Sequence, residues 1–330
     1  MIRLLKNNQF ASLLISLGMV IAFGIVSYSV ESEHQSIPIE VPFARWMQEG
    51  LDALFGLNGS GSIVVVISLI SIQSLVFGIL AERTQLLYKT TWLPVLFFGL
   101  LNLTFPEQFY TQQDLWSNMF LLLAVMAMFR AQGMERALPA LMNAGLLSGL
   151  AFMFSPSTFL FIPLFLIGIV LFKQVRGVDI FQYLFGYAFV LLTTLTVLKL
   201  IGRDEIIDQY LQVKFLHLGQ TSVWKDPYFS VFVAGLALIM VPTFLRLQQN
   251  FYKNTIRVRK LQQFILIYFF VAIVYAIFGA QKVQTAFGIL ALPLAVYLTY
   301  YFLPDKRIWL KESIFLLLLF AIFMQHARWF

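Results

Sequence analysis

The chain contains no cysteine, and its three histidines, His34, His217 and His326, lie far apart. Thiolate chemistry and a disulfide framework are excluded, and no cluster of imidazole ligands is expected. Carboxylates, lysines and arginines remain. Eleven of the 16 acids are Glu31, Glu33, Glu40, Glu49, Asp52, Glu107, Asp114, Asp204, Glu205, Asp208 and Asp226, and they occupy segments that alternate with those holding most of the basic residues. Asp114 opens an apolar run, where an acid complements a helix macrodipole or stands available for chemistry. Lys282 precedes a late apolar run, and Lys199 ends another; both read as snorkelling cations, and Lys199 also as a partner of Asp204 or Asp208. Few charges fall inside the runs, which argues against an ion-coupled transporter. Gln73, Asn102 and Asn143 are the buried polar candidates, suited to hydrogen bonds between helices.

The elements that position these side chains are membrane spans. The composition is 60% hydrophobic and 12% charged, with a mean hydropathy of +0.81. A soluble domain carries about 25% charged residues. Apolar segments near 10–30, 62–81, 91–105, 115–130, 139–154, 157–173, 180–201, 229–246, 262–278, 286–303 and 312–327 predict an all-α polytopic membrane protein of about eleven transmembrane helices. The third and fifth are short for a span. Pro156 and Pro163 flank a turn expected to close a tight hairpin. The first run lacks a cleavage site and reads as an uncleaved span. Residues 1–330 form one membrane domain with outer loops at about 31–61 and 202–228.

With the N-terminus in the cytoplasm, the inner side holds 16 of the 23 Lys and Arg residues. The positive-inside rule and an odd number of spans then place the C-terminus on the outer side. The net charge of +7 faces anionic lipid and is not a nucleic-acid footprint. In the first outer loop, Phe43, Trp46, Met47, Leu51, Leu54 and Phe55 share one helical face, with Arg45, Gln48, Glu49 and Asp52 opposite and Pro42 at the first position. This predicts an amphipathic helix in the outer interface, acting as an anchor, a plug or a lid. The second loop mixes charges with Tyr210, Phe215, Trp224 and Tyr228.

Three stretches carry a family resemblance. PEQFYTQQDLWSNMFLLLAVMAMFRA (106–131) is a Pro-led outer turn, an Asp and a span ending in Arg. ALPALMNAGLLSGLAFMFSPSTFLFIPLFLIGIVLF (137–172) is a Gly-rich half-hairpin, a short polar turn and a Pro-containing return. GAQKVQTAFGILALPLAVYLTYYF (279–302) places a Lys before a late span reading Leu-Pro-Leu. Together they resemble the GT-C superfamily of polytopic glycosyltransferases that use polyprenyl-phosphate sugars. The resemblance covers about two-thirds of the chain by order and spacing. The whole chain also resembles an uncharacterised polytopic membrane family of Bacteroidota. Some of its members are labelled carotene oxygenases, a chemistry that needs an iron-binding histidine cluster this chain lacks.

The resemblance implies outer-face carboxylates that act as a general base or bind a divalent metal, and cations that hold the lipid phosphate leaving group. Glu33 and Glu40 are the candidates for the first carboxylate and Asp114 for the second. Glu107 is a companion that, with Asp114, is a candidate metal ligand. Lys282 and Arg203 are the phosphate-binding candidates. The family's Asp-Glu pair after the first span is absent, a departure that favours a scaffold without the chemistry. Three readings follow. The first is a cell-envelope glycosyltransferase working at the outer face of the inner membrane. The second is a non-catalytic subunit or scaffold of an envelope assembly or secretion complex, bound to lipid or a membrane-protein partner. The third is a lipid or small-molecule transporter.

Overall fold

In lipid, every backbone N–H and C=O must be bonded within the chain, and a run of apolar residues does so by forming helices. A computed structural model describes residues 5–6, 9–30, 41–55, 60–105, 107, 112–134, 137–172, 176–202, 204–212, 226–251, 254–280, 282–304 and 308–327. Among them the helices are α1 (Phe10–Val30), α2 (Pro42–Phe55), α3 (Ser60–Arg83), α4 (Leu93–Asn102), α5 (Gln112–Ala131), α6 (Leu138–Phe154), α7 (Ile162–Phe172), α8 (Gly177–Leu200), α9 (Asp204–Gln212), α10 (Pro227–Phe251), α11 (Ile256–Phe278), α12 (Phe287–Phe302) and α13 (Ile308–Ala327). A 3₁₀ turn, Pro156–Phe161, joins α6 to α7.

Seven of these helices are long and apolar enough to cross a membrane, and four shorter apolar segments complete the set expected from hydropathy. The protein is therefore a multi-pass, all-α membrane protein. The third segment is the exception in kind. Its ten residues span about 15 Å, half of a hydrocarbon core. All ten are buried, so α4 is a half-helix enclosed by its neighbours rather than a wall facing lipid. It packs most closely on α12, which is itself buried along nearly its whole length. These two helices make the centre, and α1, α3, α5, α10 and α11 pack around them.

The expected hairpin of the fifth and sixth segments takes a different form. The closest neighbours of α6 are α5 and α8, not α7. The sequence Gly145-Leu-Leu-Ser-Gly149 supplies the small-residue spacing that lets helices approach closely in membranes. A Cβ on Gly145 would stand 2.1 Å from the Tyr183 carbonyl oxygen, and one on Gly186 would stand 2.5 Å from that of Met142. The glycine face of α6 is thus committed to α8, and α7 turns away to pack against α11.

The helix ends sort into two faces. One carries α2, which begins at Pro42 as expected. Val41, just before it, and Ala44, within it, are buried, and Phe43 meets Phe154 edge-on with ring centroids 5.0 Å apart. Trp46, from the same predicted apolar stripe, is instead 59% exposed. At the opposite face, Lys6 donates to the Pro304 carbonyl at 3.1 Å, and Lys311 donates to that same oxygen. Tyr300 donates to the Leu86 carbonyl at 2.7 Å, and Gln262 donates to Tyr300 at 2.7 Å.

Gly145→Ala is expected to lower stability by about 1–3 kcal/mol through overpacking against backbone. Gly235→Ala, where a Cβ meets nothing within 4 Å, serves as the control that carries the same gain in helix propensity without the clash. Thermal unfolding of the two variants in detergent micelles checks this, and equal melting temperatures would contradict it.

Candidate functional site

Three of the polar side chains that the hydropathy pattern sets apart, Asp114, Gln73 and Asn102, lie in two adjoining clusters. Asp114 lies in the first turn of α5, where a carboxylate is favoured by the helix dipole. It is buried, at 5% exposure. Tyr275, in the last turn of α11, donates its hydroxyl hydrogen to Asp114 Oδ1 at 3.1 Å. The Ser155 hydroxyl, at the end of α6, shares a hydrogen bond with the Tyr275 oxygen at 2.9 Å. The N-terminus of α5 and the C-termini of α6 and α11 are pinned together by this carboxylate, phenol and hydroxyl.

One turn further along α5, Asn118 enters a second buried cluster. Its Nδ2 donates to Gln73 Oε1 at 3.1 Å and to Asn102 Oδ1 at 3.4 Å. Gln73 in turn donates to the Leu115 carbonyl at 2.8 Å, and Asn102 to the Phe98 carbonyl at 2.9 Å. Spacing of four residues puts Asp114 and Asn118 on one side of α5, so a polar strip runs inward from the membrane surface. Gln73 and Asn102 make the interhelical bonds expected of them. Asn143 does not: it is exposed on α6, because the buried side of that helix is taken by its glycines.

The ends of α2 and α9 close over this region. Phe154, one residue before Ser155, is covered by Phe43, Trp116 and Phe120. Tyr210 of α9 donates to the Met153 carbonyl at 2.7 Å. Burial is the main cause that pushes its hydroxyl pKa above the ordinary phenol value. Two helices from the long loops therefore hold the C-terminal turn of α6, which presents Ser155 to Tyr275.

The other candidates are placed as follows. Glu107 is buried, at 8% exposure. Lys282 is half-buried in the turn between α11 and α12, where its carbonyl accepts a hydrogen bond from Thr285 at 2.9 Å. It follows Tyr275 by seven residues but is not a member of the Asp114 cluster. Lys199 is exposed at the end of α8. Glu33, Glu40 and Arg203 lie outside the described residues. Among the described residues, no group of three or more His, Asp or Glu side chains is arranged to hold a metal ion. Among the described residues the cluster itself supplies one carboxylate, and no step below runs through a metal. Ser155, Tyr275 and Asn118 escaped sequence reasoning. Only the Ser-Pro step before a turn marks Ser155, and Tyr275 is one of 13 tyrosines.

Tyr275→Phe removes a donor from a buried carboxylate and is expected to cost about 1–3 kcal/mol. In a double-mutant cycle with Asp114→Asn, melting in detergent should show effects that do not add. Strict additivity would mean that the two side chains are not energetically coupled.

The backbone is similar to that of the Archaeoglobus fulgidus oligosaccharyltransferase, in a crystal structure of that enzyme tethered by a disulfide bond to an acceptor peptide containing the NVT sequon. The TM-score is 0.50 at 11% identity, covering 92% of this chain and 48% of that one. This chain spans about half the length of that enzyme, and the likeness is one of fold alone. No curated protein sequence matches. A profile of a family of unknown function (DUF6427) matches residues 29–328, and the chain belongs to that family.

Proposed function

We propose that this protein is a membrane glycosyltransferase that moves a sugar from a polyprenyl phosphate to an acceptor at the face carrying α2. The observation that carries the reading is Asp114. It is a carboxylate at a helix N-terminus, buried at that face and oriented by Tyr275 and Ser155 within a GT-C-like fold. The acceptor's nucleophile attacks the anomeric carbon, and its proton passes to the Asp114 carboxylate as general base. The sugar–phosphate bond breaks with its electron pair on the phosphate oxygen. Lys282 and Arg203 meet that charge. Glu33 or Glu40 supplies the second carboxylate, and Glu107 supports the local field. In this reading the α2 face is periplasmic in a bacterial inner membrane. The basic Lys6 and Lys311 at the opposite face support that orientation.

One observation favours a second reading, a non-catalytic GT-C-like scaffold in an envelope assembly. The Asp114 carboxylate is only 5% exposed and bonded to Tyr275, which suits a latch between helices as well as a base.

Asp114→Asn should lower sugar transfer by about 100-fold or more, the scale of a lost general base. Lys282→Ala should lower it by about 100-fold, the scale of a lost charge stabiliser. The measurement is release of polyprenyl phosphate from a polyprenyl-phosphate hexose by the purified chain, with an envelope extract supplied as the source of acceptor. Unchanged release in Asp114→Asn overturns the catalytic assignment. Absence of release by the wild-type chain, with a stoichiometric membrane protein recovered alongside it, selects the scaffold reading.

A further inference from the structure

Outside the Asp114 site, two cavities adjoin between α2, the outer end of α8 and α9. One, of about 380 Å³, is apolar and is walled by Phe43, Thr194, Val197 and Leu198. The other, of about 420 Å³, is polar and is lined by Arg45, Glu49, Glu205 and Gln209. Pro42, Trp46, Ile201 and Ile206 line both, so they form one crevice with an apolar half and a charged half. The apolar half is walled on one side by α8, most of whose residues are not buried within the protein. Exposed Trp46 stands where the halves meet, the level at which tryptophan sits in a bilayer interface.

Among the described residues, the charged half brings together one basic and two acidic side chains, all exposed, from two different helices. That pattern discriminates among amphiphiles. A guanidinium pairs with a phosphate diester, and carboxylates accept hydrogen bonds from a primary ammonium. A phospholipid with a net negative head would place its charge beside the carboxylates of Glu49 and Glu205, which repel it. A choline head carries no N–H to donate.

We propose that this crevice seats a zwitterionic phospholipid with an ethanolamine head. Its phosphate lies on Arg45, its ammonium between Glu49 and Glu205, and an acyl chain along Thr194, Val197 and Leu198. The site is independent of whether Asp114 is catalytic.

The test uses the full chain in mixed micelles with equimolar dioleoyl phosphatidylethanolamine, phosphatidylcholine and phosphatidylglycerol, and bound lipid is read by native mass spectrometry. The wild-type chain should retain the ethanolamine lipid about tenfold over the other two, the scale of one charge-assisted hydrogen bond. The double variant Glu49→Gln/Glu205→Gln should lose that preference over phosphatidylglycerol. Arg45→Gln should lower retention of both zwitterionic lipids. These substitutions lie at exposed positions, and an unchanged circular dichroism spectrum verifies that the helices persist. Equal retention of the three lipids by the wild-type chain overturns the proposal, as does an intact ethanolamine preference in the double glutamine variant.

Discussion

A carboxylate withdrawn from water in a membrane protein must find its hydrogen-bond donors in the chain or lose several kcal/mol of solvation. Asp114 meets that demand with Tyr275, which lies 161 residues further along the sequence. Ser155 completes the chain of bonds from a third helix. The arrangement requires the start of α5 and the ends of α6 and α11 to lie at one face and one depth. Once those three termini are joined, the direction of the intervening helices is settled, because each apolar segment must return to the face from which the next begins.

The packing below this point obeys the same economy. Lipid supplies little hydrophobic drive between helices, so association rests on close van der Waals contact and on polar groups bonded across the interface. Gly145 and Gly186 provide the first by letting the backbones of α6 and α8 touch. Gln73, Asn102 and Asn118 provide the second between α3, α4 and α5. The buried half-helix α4 ends in this amide cluster. A segment of ten residues cannot reach across a bilayer, but it is stable where neighbours enclose all of its side chains. Short segments of this kind leave room for polar side chains near one surface, and here the polar strip of α5 occupies that depth.

The two faces differ in how their charges are used. At the face opposite α2, Lys6 and Lys311 turn inward onto the Pro304 carbonyl and fasten the end of α12. At the α2 face, the loop helices α2 and α9 form covers. They hold the last turn of α6 through Phe43 and Tyr210, and they shape the crevice beside α8. The candidate reaction centre and the lipid crevice therefore share supporting elements while using different side chains.

Much of the architecture was legible in the sequence. Apolar run length and the scarcity of charge within the runs marked the segments, since transfer of each residue into hydrocarbon depends on that residue alone. The 3.6-residue period of residues 42–55 marked α2, and the Gln73 and Asn102 side chains announced interhelical bonds by being polar where water is absent. Asp114 stood out as an acid at the mouth of a span. Its partners did not, because Tyr275 and Ser155 are ordinary at their own positions and acquire meaning only when α11 and α6 meet α5. Asn143 shows the converse: it had the same polar character as Asn102, yet the glycine face of α6 claimed the interior and turned it outward. Hydropathy and local period fix which stretches become helices, whereas the choice of which faces meet is made by shape and hydrogen bonding between segments far apart in the chain. That choice belongs to the tertiary structure, and the Asp114 cluster is its product.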